Sequence, residues 1–331
     1  MNDDRISQMR RWLDNLGYQN YQLDVASEDA SFRRYFRLRQ AEQSWIVMDA
    51  PPDKEPCDAY VKVAKKLTGI RLSAPEIVHE NHDQGFLVIT DFGDLSYLQA
   101  LTPENASSLY GDAMAAILRM QTRIDADDLP LYDETLLRNE MNLFKEWFLE
   151  KLLGIEMNAN QISMWKMTTD HLVQNALEQP QVFVHRDFHS RNLMKLEEHN
   201  PGILDFQDAV KGPVTYDLVS LLRDCYIDWP EPQVDQWVLD YHDVAVLEHL
   251  KGTQSSQFMR WFNLMGVQRH LKAIGIFSRL HLRDGKAQFL KDIPRTLNYL
   301  KIIGTQEMSM VGLYTIINEL SLGFRIKSVI R

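Results

Sequence analysis

The sequence has few cysteines, no long apolar run and no excess of positive charge. Its 331 residues include two cysteines, Cys57 and Cys225, which argues against a disulfide-stabilised fold and favours two reduced thiols. No apolar run approaches the ~18 residues that span a bilayer. The 36 basic and 46 acidic side chains give a net charge of −10, so we expect neither nucleic acid nor a membrane as a partner.

The length suggests about two domains, at roughly 150 residues each. A chain of this size buries a large core and needs no metal or disulfide to fold. The segment from Met1 to Ile6 carries acids where a secretory signal carries bases, so we expect a cytoplasmic protein. The sequence leaves the oligomeric state open, with a monomer as the default expectation.

The pattern of apolar residues changes near residue 95. Before it, β-rich segments predict a sheet with strands at 18–26, 32–39, 44–50, 76–81 and 86–90. Helical spacing appears there at 6–16 and around 60–67. After it, a strand-rich stretch at 182–206 interrupts predicted helices at 134–150, 160–178, 216–226, 233–250, 256–281 and 286–303. The sequence thus predicts an α+β fold with a small lobe over 1–92, a larger, mostly helical lobe over 93–331, and a ligand where they join.

The densest polar cluster runs from His185 to Met194, between two apolar segments. A loop that is held at both ends places its side chains accurately. Asp187 and Asn192 lie in this loop, and Asp205 ends the next apolar segment. Carboxylate and amide oxygens suit Mg²⁺, which binds protein carboxylates together with substrate phosphates.

The order and spacing of these residues resemble the catalytic loop of protein-kinase-like phosphotransferases. His185, Asp187 and Asn192 match the pattern H-x-D-x-x-x-x-N, and Asp205 begins Asp-Phe-Gln-Asp where those enzymes carry D-F-G. The segment Gly-Pro-Val-Thr-Tyr-Asp follows at 212–217. This combination is similar to the aminoglycoside phosphotransferase and choline kinase branch, whose members phosphorylate small molecules.

The resemblance implies a protein-kinase-like fold of two lobes that uses ATP and Mg²⁺. It implies that the lobe over 1–92 binds the nucleotide and that the lobe over 93–331 carries the catalytic and substrate groups. Asp187 is then the catalytic residue, and Asn192 and Asp205 are the metal ligands.

Three neighbours of Asp187 have supporting roles in this resemblance. His185 is expected to prop the loop, Arg186 to brace it, and Asp217 to secure it by hydrogen bonds. An alternative interpretation takes His185, Asp187 and His189 as the ligands of a zinc hydrolase. Zn²⁺ would need a further His or Cys cluster, and the remaining histidines form none in the sequence.

The segment Asp91-Phe92-Gly93 is a second D-F-G string, but it comes before the catalytic loop. It follows the last predicted strand of the small lobe, where the family places its hinge. We therefore expect the backbone around Thr90 and Asp91 to hold the adenine edge, and we do not expect a metal site there.

The phosphate-binding part of the small lobe departs from the family. The first hairpin lacks glycine, so the hydroxyl of Ser31, the turn amides and the guanidinium of Arg33 or Arg34 are expected at the phosphates. The opposing interpretation places both arginines on the exposed face of a strand. The third strand runs through Met48 to two prolines and carries no lysine. Either another cation replaces that lysine, or metal ions and loop amides suffice.

These departures are similar to one bacterial subgroup, the anomeric sugar kinases of cell-wall recycling. The likeness is carried by Asp-Ala-Ser-Phe-Arg-Arg-Tyr at 29–35 and Met-Asp-Ala-Pro-Pro at 48–52. It implies phosphorylation of the C1 hydroxyl of N-acetylmuramic acid and N-acetylglucosamine, so a small amino sugar is the expected partner.

The sugar pocket is expected in the helical lobe. Its candidate residues are Arg191, Tyr226 and Trp229, followed by Asp228, Arg260 and Arg269. An arginine fork suits a muramic carboxylate, aromatic rings stack on sugars, and simple core packing of the aromatics is an equal alternative. Two other functions stay open: a kinase of the same fold for an aminoglycoside, choline or homoserine, and a non-catalytic nucleotide-binding module, which the missing lysine would favour.

Overall fold

The computed structural model describes residues 4–28 and 32–330. The chain divides into two compact units. The first unit comprises Met1–Ser96 with Leu193–Asp208, and the second comprises Tyr97–Asn192 with Ala209–Arg331. These units are defined by internal contacts and not by function. The functional boundary predicted after residue 92 therefore stays a prediction.

An antiparallel sheet of five strands forms most of the first unit. The strands are β1 (Gln22–Glu28), β2 (Arg34–Gln40), β3 (Gln43–Asp49), β4 (Ile77–Asn81) and β5 (Phe86–Thr90), in the order β1-β2-β3-β5-β4. Helices α1 (Asp4–Asn15) and α2 (Asp58–Gly69) accompany the sheet. Met9 and Leu13 lie one turn apart on α1, so both are buried in one core with Phe36, Val47 and Val88 of the sheet.

The strand-rich stretch after residue 180 contains four short strands: β6 (Gln181–Val184), β7 (Leu193–Met194), β8 (Gly202–Ile203) and β9 (Val210–Pro213). Strands β6 and β9 pair within the second unit, and β7 and β8 pair within the first. Ile203 N–H donates to the Ser73 carbonyl at 2.7 Å, which ties β8 to the first unit. Strand β8 ends at Ile203, two residues before Asp205, where the backbone is left-handed with φ of 63°.

Helices make up most of the second unit. They are α3 (Tyr97–Ala100), α4 (Ala106–Arg123), α5 (Glu134–Leu143), α6 (Ala159–Leu177), α7 (Tyr216–Leu222), α8 (Glu231–Glu248), α9 (Ser255–Asp284), α10 (Ile293–Gln306), α11 (Val311–Glu319) and α12 (Leu322–Ile330). A π-helical segment, Phe144–Leu152, continues α5, and a 3₁₀ segment, Ala287–Asp292, precedes α10. The small sheet unit and the larger helical unit confirm the predicted α+β class.

Helix α9 is the core element of the second unit. Every residue from Trp261 to Lys272 is buried, as expected for a helix that packs on all sides. Gly275 allows α9 to approach the backbone of Leu143, where a Cβ atom would lie 2.4 Å from the carbonyl carbon. Within residues 4–28 and 32–330, none of the helices has the length and apolarity needed to cross a bilayer.

Candidate active site

The loop from His185 to Asn192 leaves strand β6 with its backbone anchored by Asp217. The Asp217 carboxylate, buried in the first turn of α7, accepts the N–H groups of His185 at 2.7 Å and Arg186 at 3.0 Å. Arg186 has φ of 76°, a conformation that a non-glycine residue keeps only where its surroundings enforce it. The predicted role of Asp217 is confirmed.

Hydrogen bonds within the loop orient Asn192 toward Asp187. The Asp187 carbonyl accepts the His189 N–H at 3.0 Å and the Asn192 side-chain amide at 3.1 Å. Because Nδ2 makes this bond, Oδ1 is the Asn192 atom that is suited to a metal ion. Asp224 secures the other end of the loop, since its carboxylate accepts the N–H of Ser190 at 2.9 Å and the hydroxyl at 2.5 Å.

His185 and Arg186 stabilise the loop through their side-chain contacts. His185 is fully buried, its ring packs edge-on against Phe188, and its Nδ1 accepts the Asp187 N–H at 3.3 Å. The Arg186 guanidinium donates to Glu140 at 2.5 Å, and Lys272 lies 3.2 Å from the same carboxylate. The predicted supporting roles of both loop residues are confirmed, while Glu140 and Lys272 were not predicted.

Positive charge surrounds the Asp187 carboxylate. Burial by itself raises the pKa of Asp187, but Lys272, Arg269 and Arg186, together with His189, outweigh that effect and hold the pKa well below its usual range. Asp187 is therefore ionised at neutral pH and suited to accept a hydrogen bond or a proton from a hydroxyl group.

The structure brings Arg191 and Tyr226 together beside this loop. The Arg191 guanidinium lies 3.7 Å from the centre of the Tyr226 ring, and His189 packs edge-on against the same ring. Trp229 lies in a different cluster, where its indole N–H donates to the Tyr110 hydroxyl at 2.8 Å. Arg191 and Tyr226, two of the three substrate candidates, are thus in direct contact. Trp229 instead packs against Tyr110 and Trp237.

The other three sugar candidates have protein partners of their own. Asp228 lies 3.3 Å from Arg295, and Arg260 lies 3.3 Å from Glu178. Arg269 is buried, and its guanidinium contacts the sulfur of Cys225 at 3.6 Å.

Asp205, in the first unit, is half-buried and stands in an unusual backbone conformation. Its left-handed φ directs the residue out of strand β8, and Gln207 Nε2 donates to its carboxylate at 2.7 Å. The adjacent Phe206 ring packs on Tyr60 of α2, with ring centroids 4.7 Å apart. Left-handed non-glycine residues are uncommon, and Arg186 in the loop is another example, so both segments are held by their surroundings.

The two arginines of the first hairpin have different environments. Arg34 binds the buried Asp49 carboxylate at 2.5 Å, next to Arg5, and belongs to the sheet. Arg33 lies 3.0 Å from Glu55, and its side chain is only 11% exposed. Burial raises the pKa of Tyr60, Asp205 raises it further and Arg33 lowers it, so Asp205 and Arg33 both lie near this hydroxyl. Ser31, the third hairpin candidate, lies outside the described residues.

The side chain of Asp91 forms an ion pair with Arg37, a residue that was not predicted to act at this position. Arg37 on β2 binds the Asp91 carboxylate through two hydrogen bonds, of 2.7 and 3.0 Å, and also binds Asp94. The backbone N–H of Thr90 donates to the Glu76 carbonyl at 3.1 Å. Because Arg37 engages the Asp91 carboxylate, the backbone of Asp91 is the part left for the hinge. The adenine-binding roles of Thr90 and Asp91 stay predictions.

Comparisons with known proteins agree with this geometry. The profile of the phosphotransferase enzyme family matches residues 23–253. The N-acetylmuramate/N-acetylglucosamine kinase of Pseudomonas aeruginosa is 45% identical over 314 residues, which cover 91% of this chain and 93% of that protein. The kinase of the same name from Neisseria meningitidis is 41% identical over 323 residues and 96% of each chain. The ADP-bound aminoglycoside phosphotransferase APH(2″)-Ib has a TM-score of 0.60 at 14% identity, with 90% of this chain and 98% of that chain covered. This last similarity confirms the predicted kinase-like fold.

Proposed function

Because this chain belongs to the phosphotransferase enzyme family, we propose that it transfers the γ-phosphoryl group of ATP to a hydroxyl of N-acetylmuramate and N-acetylglucosamine. The observation that carries the proposal is the loop around Asp187, which presents an ionised carboxylate on a backbone held by Asp217 and Asp224. Relatives of that name, 45% and 41% identical over nearly their whole length, support the choice of sugars. A cytoplasmic location, where ATP is available, belongs to the same proposal.

Asp187 is proposed to act on the acceptor hydroxyl. The oxygen of that hydroxyl forms the new P–O bond, the bond to the ADP oxygen breaks, and the proton passes to the Asp187 carboxylate. The transition state of such transfers is loose, so alignment of the hydroxyl contributes more than base strength. A carboxylate with a lowered pKa is adequate as the base, because in a loose transition state the proton is transferred late.

Asn192 and Asp205 are the proposed ligands of Mg²⁺. The donor set fits, because a carboxylate and an amide oxygen are hard ligands, and the Asn192 amide nitrogen is already bound to the Asp187 carbonyl. When bound, Mg²⁺ supplies positive charge at the β- and γ-phosphates of ATP.

The proposed reacting atom is the C1 hydroxyl of the sugar. A hemiacetal hydroxyl is more acidic than an ordinary alcohol, which suits a weakly basic carboxylate such as Asp187. We therefore expect the 1-O-methyl glycoside of N-acetylglucosamine to accept no phosphate, whereas the free sugar yields a 1-phosphate. The products are identified by ³¹P NMR.

Formation of a 6-phosphate ester from the glycoside would move the reaction away from C1. The same assay with aminoglycosides, choline and homoserine tests the other acceptors, and turnover of one of these without turnover of either amino sugar would overturn the proposed substrates.

Arg33 is the proposed replacement for the missing strand lysine. The Met48 side chain is fully buried within the sheet, so this position offers no cation to a phosphate. Arg33, in contrast, is held by Glu55 at 3.0 Å and lies near the Tyr60 hydroxyl, as does Asp205. A cation that a carboxylate holds in place on the predicted phosphate-binding hairpin suits the phosphates of ATP.

We expect Arg33→Gln to raise the KM for ATP about ten- to a hundredfold, because charged hydrogen bonds contribute that much. Arg39→Gln is the matched control, since Arg39 is an exposed residue on the same hairpin, paired with Asp24. Steady-state kinetics at varied ATP gives both values. Equal KM values for ATP in the two variants would show that Arg33 has only a structural role.

A further inference from the structure

The Arg191 guanidinium lies over two aromatic rings. It stacks 3.7 Å from the centre of the Tyr226 ring and 5.5 Å from that of Phe289. Across residues 4–28 and 32–330, no group accepts a hydrogen bond from it or forms an ion pair with it. A guanidinium that stacks by its face keeps its N–H edge directed sideways, toward a ligand or solvent.

The other cations around the loop are engaged by protein groups. Arg186 and Lys272 bind Glu140, and Arg269 contacts the sulfur of Cys225. Arg295 donates to the Cys225 carbonyl at 2.8 Å and lies 3.4 Å from the buried Asp292. Burial raises the pKa of Asp292, and the charges of Arg191 and Arg295 lower it. Arg191 therefore differs from its neighbours, because its N–H groups meet no hydrogen-bond acceptor in the part of the chain that the structure describes.

Arg191 also lies close to the proposed reacting group along the chain. It comes four residues after Asp187 and directly before Asn192, whose side chain folds back to the Asp187 carbonyl at 3.1 Å. The loop is thus a compact turn, and a ligand whose hydroxyl meets Asp187 lies next to the segment that carries Arg191.

We propose that Arg191 binds the carboxylate of N-acetylmuramate and sets the preference between the two sugars, an inference that rests on the proposed function. The two sugars share the ring and the acetamido group. They differ at O3, where N-acetylmuramate alone carries a lactyl carboxylate. A planar guanidinium matches a carboxylate through two parallel hydrogen bonds, which a neutral hydroxyl cannot reproduce.

The test compares both sugars in Arg191→Gln. We expect kcat/KM for N-acetylmuramate to fall about ten- to a hundredfold, mainly through KM, because a charged hydrogen-bonded pair is lost. For N-acetylglucosamine we expect a change of less than about threefold, since that sugar has no group for the guanidinium. Arg138→Gln is the matched control, because Arg138 is a partly exposed arginine of the same unit that pairs with Glu134 at 2.7 Å. It should leave the ratio of the two kcat/KM values unchanged.

A neutral analogue of the substrate separates recognition of charge from a general effect on the pocket. The carboxamide of N-acetylmuramate keeps the shape of the lactyl group and lacks its charge. Wild-type enzyme should prefer the acid to the amide about ten- to a hundredfold, and Arg191→Gln should treat the two alike. The comparison of the acid with the amide in wild-type enzyme needs no variant. It therefore tests the proposal even if Arg191→Gln impairs folding.

The outcomes that overturn the inference are distinct from those that overturn the proposed function. A wild-type enzyme that uses both sugars but does not distinguish the acid from the amide contradicts the role of Arg191 alone. Equal losses for both sugars in Arg191→Gln do the same, because Arg191 would then act on a shared part of the substrate. A wild-type enzyme that phosphorylates neither sugar contradicts both proposals.

Discussion

We expect Asp187→Asn to lower kcat by about 10²–10⁴-fold, with little change in the KM for the sugar. Asparagine keeps the shape of the side chain but cannot take up the hydroxyl proton at neutral pH. Lys272, Arg269 and Arg186 lower the pKa of the wild-type carboxyl, so the native enzyme holds its proton acceptor throughout an ordinary assay range. Steady-state kinetics with either sugar measures the loss.

Asp127→Asn is the control for this variant. Asp127 lies in the same unit, is exposed and pairs with Lys211 at 2.6 Å, so its kcat should stay within about twofold of wild type. An Asp187→Asn enzyme with a native melting temperature and more than about a tenth of wild-type kcat would exclude Asp187 as the general base.

Asp205→Asn should lower kcat by about 10²–10³-fold or more. The reason is that charge stabilisation at a transferring phosphoryl group depends on correctly held metal ions. The amide keeps the volume of the side chain and loses its negative charge. Loss of activity at saturating Mg²⁺, together with a higher Mg²⁺ concentration for half-maximal rate, is the expected result. Both are measured with a coupled assay during a Mg²⁺ titration.

The fold of Asp205→Asn is expected to survive, because the buried contact of this segment is made by Phe206 with Tyr60. Asp83→Asn, at an exposed position in the same unit, is the matched control. If folded Asp205→Asn enzyme showed the same Mg²⁺ dependence and kcat as Asp83→Asn, the assignment of Asp205 as a metal ligand would be wrong.

The elements of the sheet unit could be predicted because each carries a local pattern. Ile6, Met9 and Leu13 repeat at helical spacing, and strand β5 is a short apolar run between polar turns. The choice between Arg33 and Arg34 could not be made this way. Both arginines fall within the strand predicted at 32–39, whereas β2 begins at Arg34 and its register sets Arg34 opposite Asp49.

The support of the catalytic loop was beyond local patterns, because its partners are distant in the sequence. Glu140 on α5 meets Arg186 across 46 residues, and Lys272 comes from α9. One signal was present, since Lys272 and Arg269 are the two charged residues in the mostly apolar stretch from Trp261 to Phe277. Asp224 also had a signal, because it follows Asp217 by seven residues, about two turns of the helix predicted at 216–226. In the structure α7 ends at Leu222, and Asp224 lies just beyond it.

Helices α11 and α12 lay in a tail that the sequence analysis left unassigned. Both are only nine residues long, and α12 buries only Leu322 and Ile326 among its apolar side chains. Isolated helices of this length are marginal, so their stability comes from packing that periodicity alone does not reveal.

The cations around Asp187 also decide how the enzyme would return to its resting state after each turnover. On the proposed mechanism, phosphoryl transfer leaves Asp187 protonated and neutral, while Lys272, Arg269 and Arg186 keep their charge. Although Glu140 pairs with Arg186 and Lys272, these cations together lower the pKa of Asp187, so they favour loss of its proton and attract the newly formed anionic product. Regeneration of the base is then fast, and release of the phosphorylated product against this attraction becomes the slower event. The loop therefore favours rapid deprotonation of Asp187 over strong basicity. The same cations are expected to slow the dissociation of the phosphorylated product.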